Sequence, residues 1–286
     1  MNTKNFKEQA NLRRAGMAAR HAVDSINPDV LIAIDDDAQE WVARHYVNHP
    51  SMQIVHAGIN SDPASYGYKN ARNVTGILER KPLKAIQEMI LLIGAKSTAQ
   101  LGIGTTGIGA TGIRALFLSD SSKSVAMDSQ FLASYDWAPV DYRGNRAVRS
   151  FQEWQEVIRH VDELADVVLV GGYRELTRAN GVGFVSPQEV MSWTEQHSSK
   201  PVIGMNVFNA ADGAMLSLGV SPFEQGEVAA RMSLQIMDND MDASTLATQN
   251  SEQYALSMRQ SALRRRGIQL PSIFEAFSRS TNNFLD

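Results

Sequence analysis

Short, continuously apolar runs that alternate with amphipathic segments limit what this chain can fold into more than any other feature. "DVLIAID" at 29–35, "MQIVHAGI" at 52–59, "ADVVLVGG" at 165–172 and "KPVIGMN" at 200–206 have the pattern of buried parallel strands. Between and around them lie helical segments. Lys7 to Ile26 carries an approximate helical stripe of Ala10, Leu12, Ala15, Ala18, Ala19, Ala22, Val23 and Ile26 that Asn27 and Pro28 end, and "DDAQEWVARHYVNHP" opens with acidic residues suited to a helix start. "SFQEWQEVIRHVDEL", "SPQEVMSWTEQHS" and "SPFEQGEVAARMSLQIMDN" follow the same rule, the last with Ser221 as cap and Pro222 in its first turn. The alternation predicts an α/β fold with parallel sheets.

The middle of the chain is read in the same way. A helix is expected at about Pro82 to Ile93, then a strand "TAQLGIG" at 98–104, a helix from about Gly109 into the 120s, and "WAPVDYR" at 137–143 as extended chain. The strands form two groups, before Gly76 and from Ala99 to Asn206, joined by "NVTGILERKP". Two Rossmann-like lobes with a ligand cleft between them follow. Ligands of such sheets sit outside the carboxyl ends of the strands. That rule selects Asp35 to Asp37, Asn60 to Tyr66, Thr105 to Gly109, Gly171 to Tyr173 and Asn206 to Asp212.

Composition removes several classes of function. The 286 residues contain no cysteine, which excludes disulfides, thiolate zinc sites, iron–sulfur clusters and cysteine nucleophiles. A formal charge of −4 gives no electrostatic reason to expect a nucleic-acid partner, and no run of eighteen apolar residues is present to span a membrane. The basic run "RRRG" at 264–267 reads as a solvated helix end. No G-x-S-x-G elbow occurs, the N-terminal segment holds no helix-turn-helix, and no second cluster of His or carboxylates joins Asp35–Asp37 at metal-ligand spacing.

One motif points elsewhere. Gly102, Gly104 and Gly107 spell G-x-G-x-x-G after a short apolar run, and Asp128 stands at about the distance of the acidic residue that holds a ribose in dinucleotide sites. An NAD(P)-dependent oxidoreductase is therefore an alternative. The same glycines also suit a tight turn without ligand, or a helix start whose N–H groups and the Thr105 and Thr106 hydroxyls hold another anion.

"HAGINSDPASYG" followed by "RNVTGILE", the late segment "PVIGMNVFNAADGAMLSLGVSPFEQGEVAARMSLQIM" and "RRRGIQLP" near the end resemble one family in order and spacing. It is the ABC transporter substrate-binding proteins of the aromatic-amino-acid-type, or uncharacterised, group. The likeness runs from about Asn2 to Pro271 and is weakest over Ile113 to Arg149. It implies the periplasmic-binding-protein type I fold, with lobes of residues 1–76 plus about 210–247 and 77–209 plus about 248–286. It implies Asn-Val-Thr-Gly as a crossing between lobes. It also implies a non-enzymatic receptor without cofactor that closes on a small molecule such as an amino acid, delivers it to an ABC permease, and works in the periplasm; a ligand-sensing domain of a signalling protein would share the binding chemistry. Family members ordinarily carry an export signal and a first strand and helix before the segment resembling Met1 to Gln9, so this chain reads as shortened at its N-terminus.

The candidate ligand residues are those at the strand ends. Asp36 and Asp37 are read as acceptors for a ligand ammonium, with helix capping as their plainer role. Asn60, Ser61, Asp62 and Tyr66 follow the second strand, and Thr105 and Thr106 the strand expected at the glycines. Gly172, Tyr173, Asn206, Phe208 and Asp212 follow the later strands, the aromatics being suited to stacking and equally to packing. Trp41, Trp154 and Trp193 are assigned to the cores, and His56 to a satisfied position inside a strand.

Overall fold

The computed structural model describes residues 8–100 and 112–286. The chain divides into two compact units, residues 1–80 with 221–253 and residues 81–220 with 254–286, so it passes from one to the other three times. Residues 210–220 thus belong to the second unit and not, as the sequence suggests, to the first. The reason is pairing: the strand at Leu216–Val220 lies between two strands of the second sheet.

The first unit begins with α1 (Gln9–Ile26), β1 (Val30–Ile34), α2 (Asp36–Trp41), β2 (Gln53–Ile59) and β3 (Val74–Leu78). The second takes up α3 (Leu83–Gln100), β4 (Arg114–Asp120), α4 (Lys123–Ala133), β5 (Asp141–Val148), α5 (Phe151–Arg159), α6 (Val161–Leu164) and β6 (Val167–Val170). It goes on through α7 (Pro187–His197), β7 (Val202–Gly204), α8 (Phe208–Asp212) and β8 (Leu216–Val220). The chain returns to the first unit for α9 (Pro222–Asn239) and β9 (Gln249–Asn250), then ends in the second with β10 (Tyr254–Arg259), α10 (Gln260–Arg265), α11 (Ser272–Ser280) and β11 (Phe284–Leu285).

Two sheets result among the described residues. In the first unit the order is β1-β2-β3-β9, all parallel. In the second it is β11-β10-β8-β7-β6-β4-β5, with every pairing parallel except that of β10 with β8, so that β10 and β11 run opposite to the other strands. The segment 114–120, expected inside a helix running from about Gly109 into the 120s, is a strand flanked by β6 and β5. Its residues alternate between two cores: Ala115 and Phe117 pack with Ile86, Ile90 and Ile93 of α3, while Leu116 and Leu118 pack with Trp154 and Val190. A run apolar on both faces carries no helical period, and only its two neighbouring strands declare it. Residues 98–100 of the expected strand "TAQLGIG" are the last of α3, and its remaining residues lie outside those described.

Three smaller corrections have physical causes. β1 is an edge strand and not a covered one, with Ile32 44% and Ile34 59% exposed. "NVTG" does not cross between units but begins β3 and holds the first unit together. Asn73 donates to the carbonyls of Tyr46 and Met52, Thr75 donates to that of Leu246, and a Cβ on Gly76 would stand 2.1 Å from the His56 carbonyl oxygen. Nor is "RRRG" wholly solvated: Arg266 bonds Glu195 at 2.8 Å and the carbonyls of Ser198 and Lys200, and the Glu195 side chain is 2% exposed. The cap at Ser221 is as expected, accepting from the Glu224 amide with Pro222 in the first turn.

Two predictions follow from these buried polar groups. Arg266→Ala leaves the Glu195 carboxylate without its cation, and unfolding in urea is expected to show a loss of about 3–5 kcal/mol; the double change Arg266→Met, Glu195→Met costs much less. A single variant as stable as the parent would contradict this account. His56 is buried in β2, stacked at 5.8 Å on Tyr68, with its Nδ1 lacking a partner among the described residues. Burial, aided by the Arg80 charge, pushes its pKa down to about 4. The unfolded chain therefore takes up a proton near pH 6.5 that the folded chain refuses. Stability attributable to His56 is whole above pH 6.5 and falls by up to about 3 kcal/mol as pH drops to 4. His56→Phe is expected to flatten the dependence of unfolding free energy on pH across that window; an unchanged slope would refute the assignment.

Candidate functional site

In both units the side chains at the carboxyl ends of the strands are tied to one another by hydrogen bonds. In the first unit the knot is Asp36. It is the first residue of α2, where the unpaired N–H groups of a helix start favour a carboxylate. Its Oδ1 accepts from the Tyr66 hydroxyl at 2.6 Å and the Ser61 amide at 3.1 Å, and its Oδ2 from the Asn60 amide at 3.2 Å. The turn after β2 is thereby fastened to the turn after β1. Burial, then the bond to Asp36, raises the pKa of the Tyr66 phenol, so it stays a donor.

Beneath this turn Gln39, fully buried, donates to the carbonyls of Ala33 and Asp35 and accepts from the Tyr68 hydroxyl at 2.6 Å. Asp62 caps the short 3-10 turn Pro63–Tyr66 by accepting from the Ala64 amide. Asp37 lies half-buried in the first turn of α2 and makes no side-chain hydrogen bond among the described residues.

In the second unit the knot is Asp212, 5% exposed at the end of α8. Its Oδ2 accepts from the Tyr173 hydroxyl at 2.7 Å and from Arg174 Nη2 at 2.9 Å, and its Oδ1 from Gln188 Nε2 at 3.0 Å. The Tyr173 oxygen also accepts from Asn209, whose own Oδ1 accepts from the Asn206 amide at 2.7 Å. The Asn206 side chain accepts from Lys81 Nζ at 2.5 Å, and Lys81 stands 3.8 Å from Asp128. Burial, reinforced by the Asp212 charge, raises the pKa of the Tyr173 phenol.

Asp120, at the end of β4, holds the segment that carries Tyr173 and Arg174. Its amide donates to the Gly172 carbonyl and its Oδ2 accepts from the Glu175 amide at 3.0 Å. Gly172 serves this packing, since a Cβ there would meet Val125 at 2.4 Å. Phe208 is 43% exposed, with the Arg174 guanidinium carbon 4.6 Å from its ring centre.

The structure thus gathers Asp36, Asn60, Ser61 and Tyr66 around one carboxylate, and Tyr173, Asn206, Phe208 and Asp212 around another. Sequence reasoning missed Arg174, Lys81, Gln188 and Asp120, and it selected Asn209 only as part of the segment Asn206 to Asp212. Arg174 had a signal: it directly follows the aromatic at the end of β6, where a cation in a polar turn is an anion-binding candidate. Gln188 lies on a helix and had none. Thr105, Thr106 and the glycines of the G-x-G-x-x-G run lie outside the described residues. Asp128, on α4 and paired with Lys81, is not at the end of a strand that those glycines could follow. Among the described residues no group of three His, Asp or Glu could hold a metal ion, and no helix is long and apolar enough to cross a membrane.

Neither a protein-family model nor a curated protein matches the sequence. Solved structures do match its fold. A conserved domain protein from Vibrio cholerae O1 biovar El Tor is 19% identical, with 94% of this chain and 83% of that one covered and a TM-score of 0.62. An ABC domain from Streptococcus pneumonia in complex with L-Trp is 15% identical, with 93% and 82% covered and a TM-score of 0.61. A ligand-free, open substrate-binding protein with adhesive properties from Clostridium difficile is 16% identical, with 91% and 81% covered and a TM-score of 0.62. The fold of this chain is that of the type I periplasmic binding proteins.

The Asp36 knot carries its own prediction. A hydrogen bond to a charged group contributes about 1.5–3 kcal/mol, and a buried donor left alone costs as much again. Tyr66→Phe and Asp36→Ala are each expected to destabilise the protein, and a double-mutant cycle from urea unfolding should return a coupling of about 1.5–3 kcal/mol between them. Simple additivity of the two losses would show that the bond contributes nothing.

Proposed function

We propose that this protein is the solute-binding component of an ABC transporter: a non-enzymatic, extracytoplasmic receptor that captures a small molecule at the carboxyl ends of its strands and hands it to a membrane permease. The observation that carries the reading is the likeness in fold, over 93% and 91% of this chain, to the ABC domain bound to L-Trp and to the substrate-binding protein. The hydrogen-bonded rims of the two units add to it. Groups held in place before the ligand arrives lose little entropy on binding, which is what a receptor needs.

An amino acid is the ligand class that these groups fit. Asp37 is the carboxylate of the first rim that a ligand ammonium would meet, since Asp36 is already occupied by Asn60, Ser61 and Tyr66. In the first unit Asn60 adds a neutral polar group; in the second, taken by itself, Asn206 offers a neutral polar contact and Phe208 an exposed ring on which an apolar group packs.

Thermal-shift measurements over amino acids, nucleosides and sugars test the reading. A ligand present at a hundred times its dissociation constant should add about 2.7 kcal/mol to stability, and calorimetry on the hit should give one site per chain. NADH titration followed by fluorescence should show no saturable change. A screen without any stabilising compound, or saturable NADH binding, would overturn the proposal.

A further inference from the structure

The carboxylate of Asp212 is spoken for. Tyr173, Arg174 and Gln188 occupy both of its oxygens, it is 5% exposed, and the Tyr173 hydroxyl that it fixes is itself tied through Asn209 to the backbone of Asn206. A ligand ammonium reaching Asp212 would have to displace three donors from a buried acid. What the network presents outward is its cation. The Arg174 side chain is 41% exposed, one nitrogen rests on Asp212, and its guanidinium carbon lies over the Phe208 ring, 4.6 Å from its centre. Its remaining N–H donors have no protein acceptor among the described residues. A guanidinium held on one edge by a buried acid and on one face by an aromatic offers its free donors in a fixed orientation, and two parallel N–H groups match the two oxygens of a carboxylate.

Resting on the solute-binding reading above, we infer that Arg174 is the residue that recognises a carboxylate on the ligand, and that Asp212 is its positioning residue and makes no contact with the ligand. Phe208 adds a preference for an apolar group beside the carboxylate.

The test compares acids with their neutral amides. The probes are the free L-amino acids and benzoate, each beside its carboxamide, with hexoses, nucleosides and nucleoside monophosphates as a second set. The proteins are the full chain and its Arg174→Gln, Arg174→Lys and Asp212→Asn variants. The stabilising compound is expected to carry a carboxylate, and its amide to bind about ten- to a hundredfold more weakly by calorimetry. Arg174→Gln should bring acid and amide to the same affinity, and Arg174→Lys should restore part of the difference. Asp212→Asn should lower the acid-to-amide ratio while the amide still binds, a change that loss of general stability would not produce. Arg174→Gln leaves the buried Asp212 carboxylate without its cation and is expected to lower the unfolding midpoint, so affinities are compared at a temperature at which every variant is folded, and the acid-to-amide ratio is what the experiment reads. Acid preference that survives Arg174→Gln, or a hit that is a sugar, a nucleoside or a nucleoside monophosphate, would overturn this inference and leave the solute-binding reading standing. A panel in which nothing binds would bring down both.

Discussion

Cover on both faces of the central strands is the constraint from which the second unit is built. β4 has Phe117 in one core and Leu118, the next residue, in the other, both wholly buried. A strand of this kind has no face for polar side chains, so helices must lie on either side of the sheet. α3 closes one face with Ile86, Ile90 and Ile93, and α5 and α7 close the other through Trp154 and Val190. Polar chemistry is then confined to the strand ends, where the chain leaves the sheet and backbone groups lose their ladder partners.

That confinement explains how the rims are made. Asp120, Asn209 and Asp212 are all at least 95% buried, yet each is satisfied, because a buried polar group without a partner costs more than a made bond returns. The acids act on the backbone and side chains of the turns that follow β4, β6 and β7, and so fix the direction of Arg174 before any ligand is present. Asp36 does the same for the turn after β2. In both units a carboxylate organises the rim, the half-buried Asp36 in the first and the buried Asp212 in the second.

The first unit meets the same requirement with a smaller sheet. α9 covers β2 and β3 with Val228, Ala229, Met232 and Ile236, while β1 at the edge keeps Ile32 and Ile34 exposed. Gly76 lets β3 approach His56 more closely than any side chain would allow, and Asn73 bridges the turns before β2. A motif that looks like a signature of crossing between lobes is, in physical terms, a packing device of one sheet.

Local pattern determined the element types wherever period, cap and turn agreed. α9 with its Ser221 cap, the strands at β2, β6 and β7, and the candidate rim positions after them were all legible, because burial and capping act on neighbours in the chain. Other features depend on residues far apart in sequence, and only the tertiary structure decided them. Segment 114–120 is a strand because β5 and β6 flank it, not because its residues announce one. β1 is exposed at the edge because no strand of the described residues lies beyond it. Arg266 is drawn out of solvent because the buried Glu195, 71 residues earlier, meets it. The roles within the site divide in the same way: Tyr173 and Asp212 could be named as site residues from the sequence. That Asp212 is consumed by Tyr173, Arg174 and Gln188, so that the cation and not the acid faces outward, follows from hydrogen bonds spanning 24 to 39 residues, which no local pattern encodes.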